Sequence, residues 1–160
     1  MARKLISEVL TEAGKIVKRD ERIKFLQLNK SPGLTDILRI NYDETVVPAL
    51  PAGAPSYRQD DAPKDYQYTI LNKAYTQFKY FFKGPIANDL QPLKRESLFL
   101  NLLESLHAEE AELLIAAKDK KLHQVYKGLS KDVVKEAFNW NDDFVNPQFI
   151  QTYFIGVYFS

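Results

Sequence analysis

Residues 92–106 read PLKRESLFLNLLESL. Leu98, Phe99, Leu102, Leu103 and Leu106 recur at spacings of three and four, with Leu93 upstream of them. That period lays apolar side chains along one face of an α-helix. Pro92 suits a first helical turn, where its missing amide costs nothing. Lys94, Arg95, Glu96 and Glu104 are predicted to face water. An amphipathic helix must bury its stripe against another element, so the neighbours of this segment decide the fold.

Downstream, His107 and Ala108 mark a break. Glu109, Glu110 and Glu112 suit the positive start of a further helix, and Lys118, Lys120 and Lys121 suit its negative end. Between them lie Ala111, Leu113, Leu114, Ile115 and Ala116. After Gly128, Ser130 is placed to cap a short helix carrying Val133, Val134, Ala137 and Phe138. Leu98, Leu102, Leu113, Leu114 and Val134 are therefore expected to share one helix-on-helix core.

Upstream, residues 69–82 read as an aromatic helix (Tyr75, Phe78, Tyr80, Phe81, Phe82) stopped by Gly84-Pro85. Thr35 is a candidate cap for a helix with Ile37, Leu38 and Ile40. A short helix carries Ile23, Phe25, Leu26 and Leu28. The first helix spans 4–18, its stripe being Leu5, Ile6, Val9, Leu10, Ala13, Ile16 and Val17.

Two segments break the helical pattern. Residues 48–65 hold four of the eight prolines (Pro48, Pro51, Pro55, Pro63), with Gly53 and the acidic Asp60, Asp61 and Asp65. Proline removes amide donors and fixes φ, so this is a long ordered loop. Loops of that length are uncommon; they serve as surface spacers or carry function. Residues 144–160 carry no charge, and many of them are aromatic or β-branched. Asn146-Pro147 leads into a strand or extended arm. Left bare, such a segment invites edge pairing, so it is expected to be covered by this domain or by a partner. Because the helices can form a core without it, Phe149, Tyr153, Phe154, Val157 and Phe159 are assigned to a partner. The expected fold is mainly α: a single small helical domain of six to seven helices over 1–139, the Pro-rich loop inside it, and an extended aromatic C-terminal arm over 140–160.

Composition sets further bounds. The chain has 160 residues, no Cys, 22 Lys+Arg against 21 Asp+Glu, and 45% hydrophobic residues. That is one domain of ordinary globular character, without disulfides, thiolate metal ligands or a Cys nucleophile. A net charge of +1 exerts no strong global pull on nucleic acid or anionic membrane. No apolar run is long enough for a membrane span, and Glu8 and Glu12 interrupt the segment after the basic N-terminus, so neither membrane insertion nor secretion is expected.

Walker A, dinucleotide-binding, G-x-S-x-G and HExxH patterns are all missing. Glu104 and His107 have Glu-x-x-His spacing, but a di-iron site needs a second such pair, and His123 is the only other histidine. His107 reads better as a helix cap. Asp60, Asp61 and Asp65 lack the glycine and terminal glutamate of a calcium loop and read as a solvated turn. Basic segments run from Lys15 to Lys30 and from Lys118 to Lys135, the second with six lysines against two aspartates. They could contact phosphate; dipole-matched, solvated helix ends explain them more simply. No catalytic residue, cofactor or metal ligand is assigned.

Several runs are specific enough to resemble a known group. They are Arg95 to Leu100, Leu103 to His107, Glu110 to Ile115, Lys118 to Leu122, Tyr126 to Ser130 and Val134 to Phe138. Leu50 to Pro55 and Asp61-Ala62-Pro63 join them. Together they resemble an uncharacterised protein family of T4-like myoviruses, many infecting marine cyanobacteria, over about residues 4–139. In that family the loop more usually reads acidic-Gly-x-Pro-Pro-Tyr; here Ser56 separates Pro55 from Tyr57. Its members tend to end soon after the position of Phe138, which leaves the aromatic tail unexplained. The resemblance implies a phage origin and no activity. The expected role is a non-catalytic interaction or assembly component. It would act in the host cytoplasm during infection or in the virion, through a protein partner or self-association of the arm. The alternative is a small regulator that binds nucleic acid or a host protein through the basic segments.

Overall fold

The computed structural model describes residues 4–59 and 69–146. Its helices are α1 (Ile6–Lys15), α2 (Arg19–Leu28), α3 (Pro32–Tyr42), α4 (Leu71–Ala74), α5 (Pro85–Asn88), α6 (Pro92–Ser105), α7 (Ala108–Lys118), α8 (Leu122–Val125) and α9 (Lys131–Phe138). A 3-10 segment, Tyr75–Tyr80, continues α4. An isolated antiparallel bridge joins Pro48 and Phe82. The fold is mainly α, as the apolar periods require.

Helices α3 and α7 form the centre. Each is buried over most of its circumference (Gly33 to Asn41 and Leu113 to Lys118 throughout), which marks core helices rather than surface ones. Helices α1, α6 and α8 pack on α7, and α2 lies along α9. Leu102, Leu113, Leu114 and Val134 are buried in one cluster, with Leu98 half-buried against it.

Several expectations are corrected. Ser31, not Thr35, caps α3: its Oγ accepts from the Leu34 amide at 3.2 Å, and Pro32 takes the first helical position. Thr35 instead bonds back to the Ser31 and Pro32 carbonyls. The 69–82 helix is one α turn followed by 3-10. A three-residue period aligns Tyr75, Phe78 and Phe81, and Phe78 and Phe81 are fully buried. Helix α1 ends at Lys15 because the backbone at Ile16 is extended, which leaves Val17 92% exposed. Leu93 is 81% exposed, in the first turn of α6. The buried face of α6 is Phe99, Leu102 and Leu103, and Arg95 lies one turn before Phe99 on it.

Buried polar groups tie the helices together. Glu110 of α7 is 1% exposed. Its carboxylate accepts from the Ile6 amide at 3.1 Å and the Leu71 amide at 3.0 Å, the first residues of α1 and α4. One anion thus satisfies two helix N-termini. Burial pushes its pKa up, against the pull of the Leu71, Ser7 and Ile6 amides and of His107. Arg22 of α2 closes the end of α1, donating to the Ala13 carbonyl at 3.1 Å and to the Ile16 carbonyl. It also donates to the Gly128 carbonyl at 3.1 Å.

Past α9 the packing continues. Asn139 takes the left-handed conformation that ends the helix. Trp140 then packs at a tilt against Phe138 at 5.2 Å and edge-on against Phe144 at 5.9 Å, and Phe144 is buried. Phe149, Tyr153, Phe154, Val157 and Phe159 lie outside the described residues, as do Asp60, Asp61 and Asp65.

Candidate functional site: the tethered proline-rich loop

Residues 48–59 of the proline-rich segment are described, and they are held at many points. Ala49 donates its amide to Phe81 O, and Lys83 to Val47 O, both at 2.8 Å, which fixes the loop entry on the 3-10 segment. Phe81 in turn packs edge-on against Phe99 of α6 at 5.2 Å. Arg95 donates to the carbonyls of Ala49 and Ala87 at 2.8 Å and of Leu90 at 3.2 Å. A planar guanidinium can reach several carbonyls at once, and here it joins the loop to α5 and the turn after it.

The central tether is Lys118. It lies at the C-terminal end of α7 and is 1% exposed. Its Nζ donates to Pro51 O at 2.9 Å, Gly53 O at 3.3 Å and Asp119 Oδ1 at 2.6 Å, using all three ammonium protons. Asp119 Oδ2 accepts the Gly53 amide at 3.0 Å. Gly53 has φ +87°, a conformation in which glycine is unstrained, and the loop turns there. Beyond the turn, Arg58 N donates to Glu104 Oε2 at 2.9 Å. Tyr57 rests on the core, and burial raises its pKa, partly offset by a hydrogen bond with Gln59.

The loop leaves a groove on each side. One, of about 400 Å³, runs between Leu50–Ser56 and the α6 residues Glu96, Phe99 and Leu100. The other, of about 580 Å³, lies between Pro48–Pro51 and Lys83, Asn88, Leu90 and Pro92. Arg95 and Glu96 also line the second, so Glu96 stands on the ridge between them. Pro51, Ala52, Gly53 and Ala54 are exposed. A water-accessible apolar strip on a tied-down backbone can receive a ligand with little ordering cost.

Residues 9–124 match a family of unknown function (DUF6433). The chain belongs to that family. No curated protein and no solved structure matches it. The DUF6433 match takes in the described part of the loop, α6 and α7, and so the loop tethers of Arg95, Lys118, Asp119 and Glu104; α9 lies beyond it.

The other candidate residues separate in space or in role. His107 Nδ1 accepts the Glu109 amide at 3.2 Å and caps α7, while Glu104 receives Arg58. Among the described residues no group of three or more His, Asp or Glu side chains is arranged to hold a metal. Lys118, expected as a solvated lysine at a helix end, is instead the buried centre of the loop clamp. Arg95, expected to face water, is half-buried. Each falls on the apolar period of its helix, Lys118 four residues after Leu114 and Arg95 four before Phe99. That register is the signal that could have revealed them. Nothing local points to their loop partners, which lie 67 and 46 residues away.

Proposed function

We propose that this chain is a non-catalytic protein–protein interaction or assembly component of a T4-like phage, acting in the host cytoplasm during infection or in the virion. The observation that supports this reading is the clamp: a fully buried lysine of the central helix holds an exposed, apolar, proline-rich loop in one conformation. A rigid surface loop suits recognition better than a simple spacer, because its conformational entropy is lost on folding rather than on binding. The uncharged aromatic and aliphatic residues Phe149, Tyr153, Phe154, Val157 and Phe159 add a second adhesive segment in the sequence. No described helix is long and apolar enough to cross a membrane.

The test is pull-down from infected cells with the full chain and with a chain ended at Asn146. Ending there, rather than before Phe144, keeps the buried Phe144 on α9. The full chain should capture a defined phage or host protein, and mass spectrometry of purified virions should detect the chain. A full chain that captures nothing and stays monomeric would remove the proposal.

One observation favours the second reading, a small regulator. The two basic segments, far apart in sequence, are brought together where α2 lies along α9 and Arg22 reaches Gly128. Lys15, Lys18, Lys127 and Lys131 are exposed there. Anions interrupt the surface, and Arg19 is already paired with Glu136 at 2.5 Å. Strong salt-dependent binding to DNA or RNA would favour this reading over the first.

A further inference from the structure

We infer that the groove between Leu50–Ser56 and α6 is a slot for a basic side chain, arginine above all, presented by an apolar stretch of a partner protein. This rests on the interaction reading and adds to it the place and the chemistry of recognition.

Leu50, Pro51, Pro55, Phe99 and Leu100 make the groove wall apolar, and Glu96 is the one charged residue lining it. Among the described residues Glu96 has no ion pair and no hydrogen bond. Its neighbour Arg95 is turned to three carbonyls. A carboxylate at the side of an apolar groove attracts a cation more strongly than one in open water does.

Pro51 and Pro55 have no amide proton, and Asp119 takes the amide of Gly53. Lys118 in turn holds the Pro51 and Gly53 carbonyls, so the charged acceptor lining the groove is the Glu96 carboxylate. Its complement is a group that donates and does not accept, which means guanidinium or ammonium. Guanidinium is the better fit: it is flat, weakly hydrated, able to lie on proline and phenylalanine faces, and able to donate to a carboxylate and a carbonyl together. About 400 Å³ admits such a side chain with an apolar neighbour. An acidic ligand would meet Glu96 with like charge. An uncharged aromatic ligand, including the chain's own C-terminal segment, would cover Glu96 without pairing it.

The experiment titrates the full isotope-labelled chain with the peptide acetyl-Leu-Arg-Leu-amide and with its neutral citrulline counterpart, following amide resonances. Saturable shifts are expected at Gly53, Ala54, Phe99 and Leu100 at millimolar probe. The citrulline peptide should bind about tenfold more weakly, and added salt should weaken the arginine peptide. Glu96→Gln keeps the side-chain shape; it should lose about tenfold in affinity with an unchanged unfolding midpoint, whereas Glu44→Gln, remote on an exposed turn, should bind as the original does. Equal binding of the two peptides, no saturable shift, or no effect of Glu96→Gln would overturn the slot. Stronger binding of a peptide spanning 149–159 would overturn it in favour of the arm. If Glu96→Gln still captures the same cellular partner, the slot fails while the interaction role stands; if the unaltered chain captures none but binds the arginine peptide through Glu96, the reverse holds.

Discussion

The ammonium of Lys118 lies 2.9 Å from the carbonyl oxygen of Pro51, joining the end of the central helix to a loop 67 residues earlier in the chain. Lys118→Met keeps most of the buried volume and removes the donor. It should cost roughly 1–3 kcal/mol, because Asp119 and two carbonyls lose their partner. The loop should respond more than the core does. Protease cleavage within 50–56 and exchange of the Gly53 amide should both rise well before global unfolding. Unchanged protection of Gly53 would show that the Asp119 bond and Arg95 suffice.

Glu110 makes a similar link between helix ends, and its chemistry can be varied in steps. Glu110→Leu leaves the Ile6 and Leu71 amides buried without an acceptor and should destabilise by about 3–5 kcal/mol. Glu110→Gln retains one acceptor oxygen and should lose about 1–3 kcal/mol. Urea midpoints check the ranking; Gln as costly as Leu would mean that the negative charge matters more than the hydrogen bonds.

Asp36 is buried on α3, and burial pushes its pKa up to about 7, against the attraction of Arg39. A raised folded-state pKa means that the folded chain binds the proton more tightly than the unfolded one. The contribution of this group is fully present below the ordinary aspartate range and is lost as pH rises toward 7. Glu110, also raised, acts in the same direction. Asp36→Asn should flatten the fall in unfolding free energy between about pH 4 and pH 7 and raise stability at pH 8 by roughly 1–3 kcal/mol. An identical pH profile for the variant would exclude Asp36 as its source.

Gly14 reverses the usual helix rule. In an exposed helix interior Gly→Ala gains about 1 kcal/mol. Here an added Cβ would fall 2.9 Å from the Lys127 carbonyl oxygen, so the chain from α8 to α9 would have to move off α1. Gly14→Ala should therefore lower the thermal midpoint, and a raised midpoint would show that this contact yields easily.

Leu102 tests the core itself. It lies buried on the inner face of α6, and Leu102→Ala should cost roughly 2–5 kcal/mol by leaving a cavity.

Local chemistry was enough to place several helices before any packing was known. The three-and-four spacing of Leu98 to Leu106 made α6, Ser130 made the start of α9, and His107 made the cap of α7, because each needs only residues within one or two turns. The prolines between 48 and 55 announced a loop for the same local reason. The anchors of that loop, and the identity of the hidden charges, emerged from the packed helices. Lys118, Arg95 and Glu110 look like ordinary surface charges in a helical period. Their burial depends on carbonyls and amides 39–104 residues distant, which exist as partners only once the helices have packed. Periodicity reports which face of a helix turns inward; it cannot report that a polar group waits there, and this decides whether a buried charge is stabilised or forbidden.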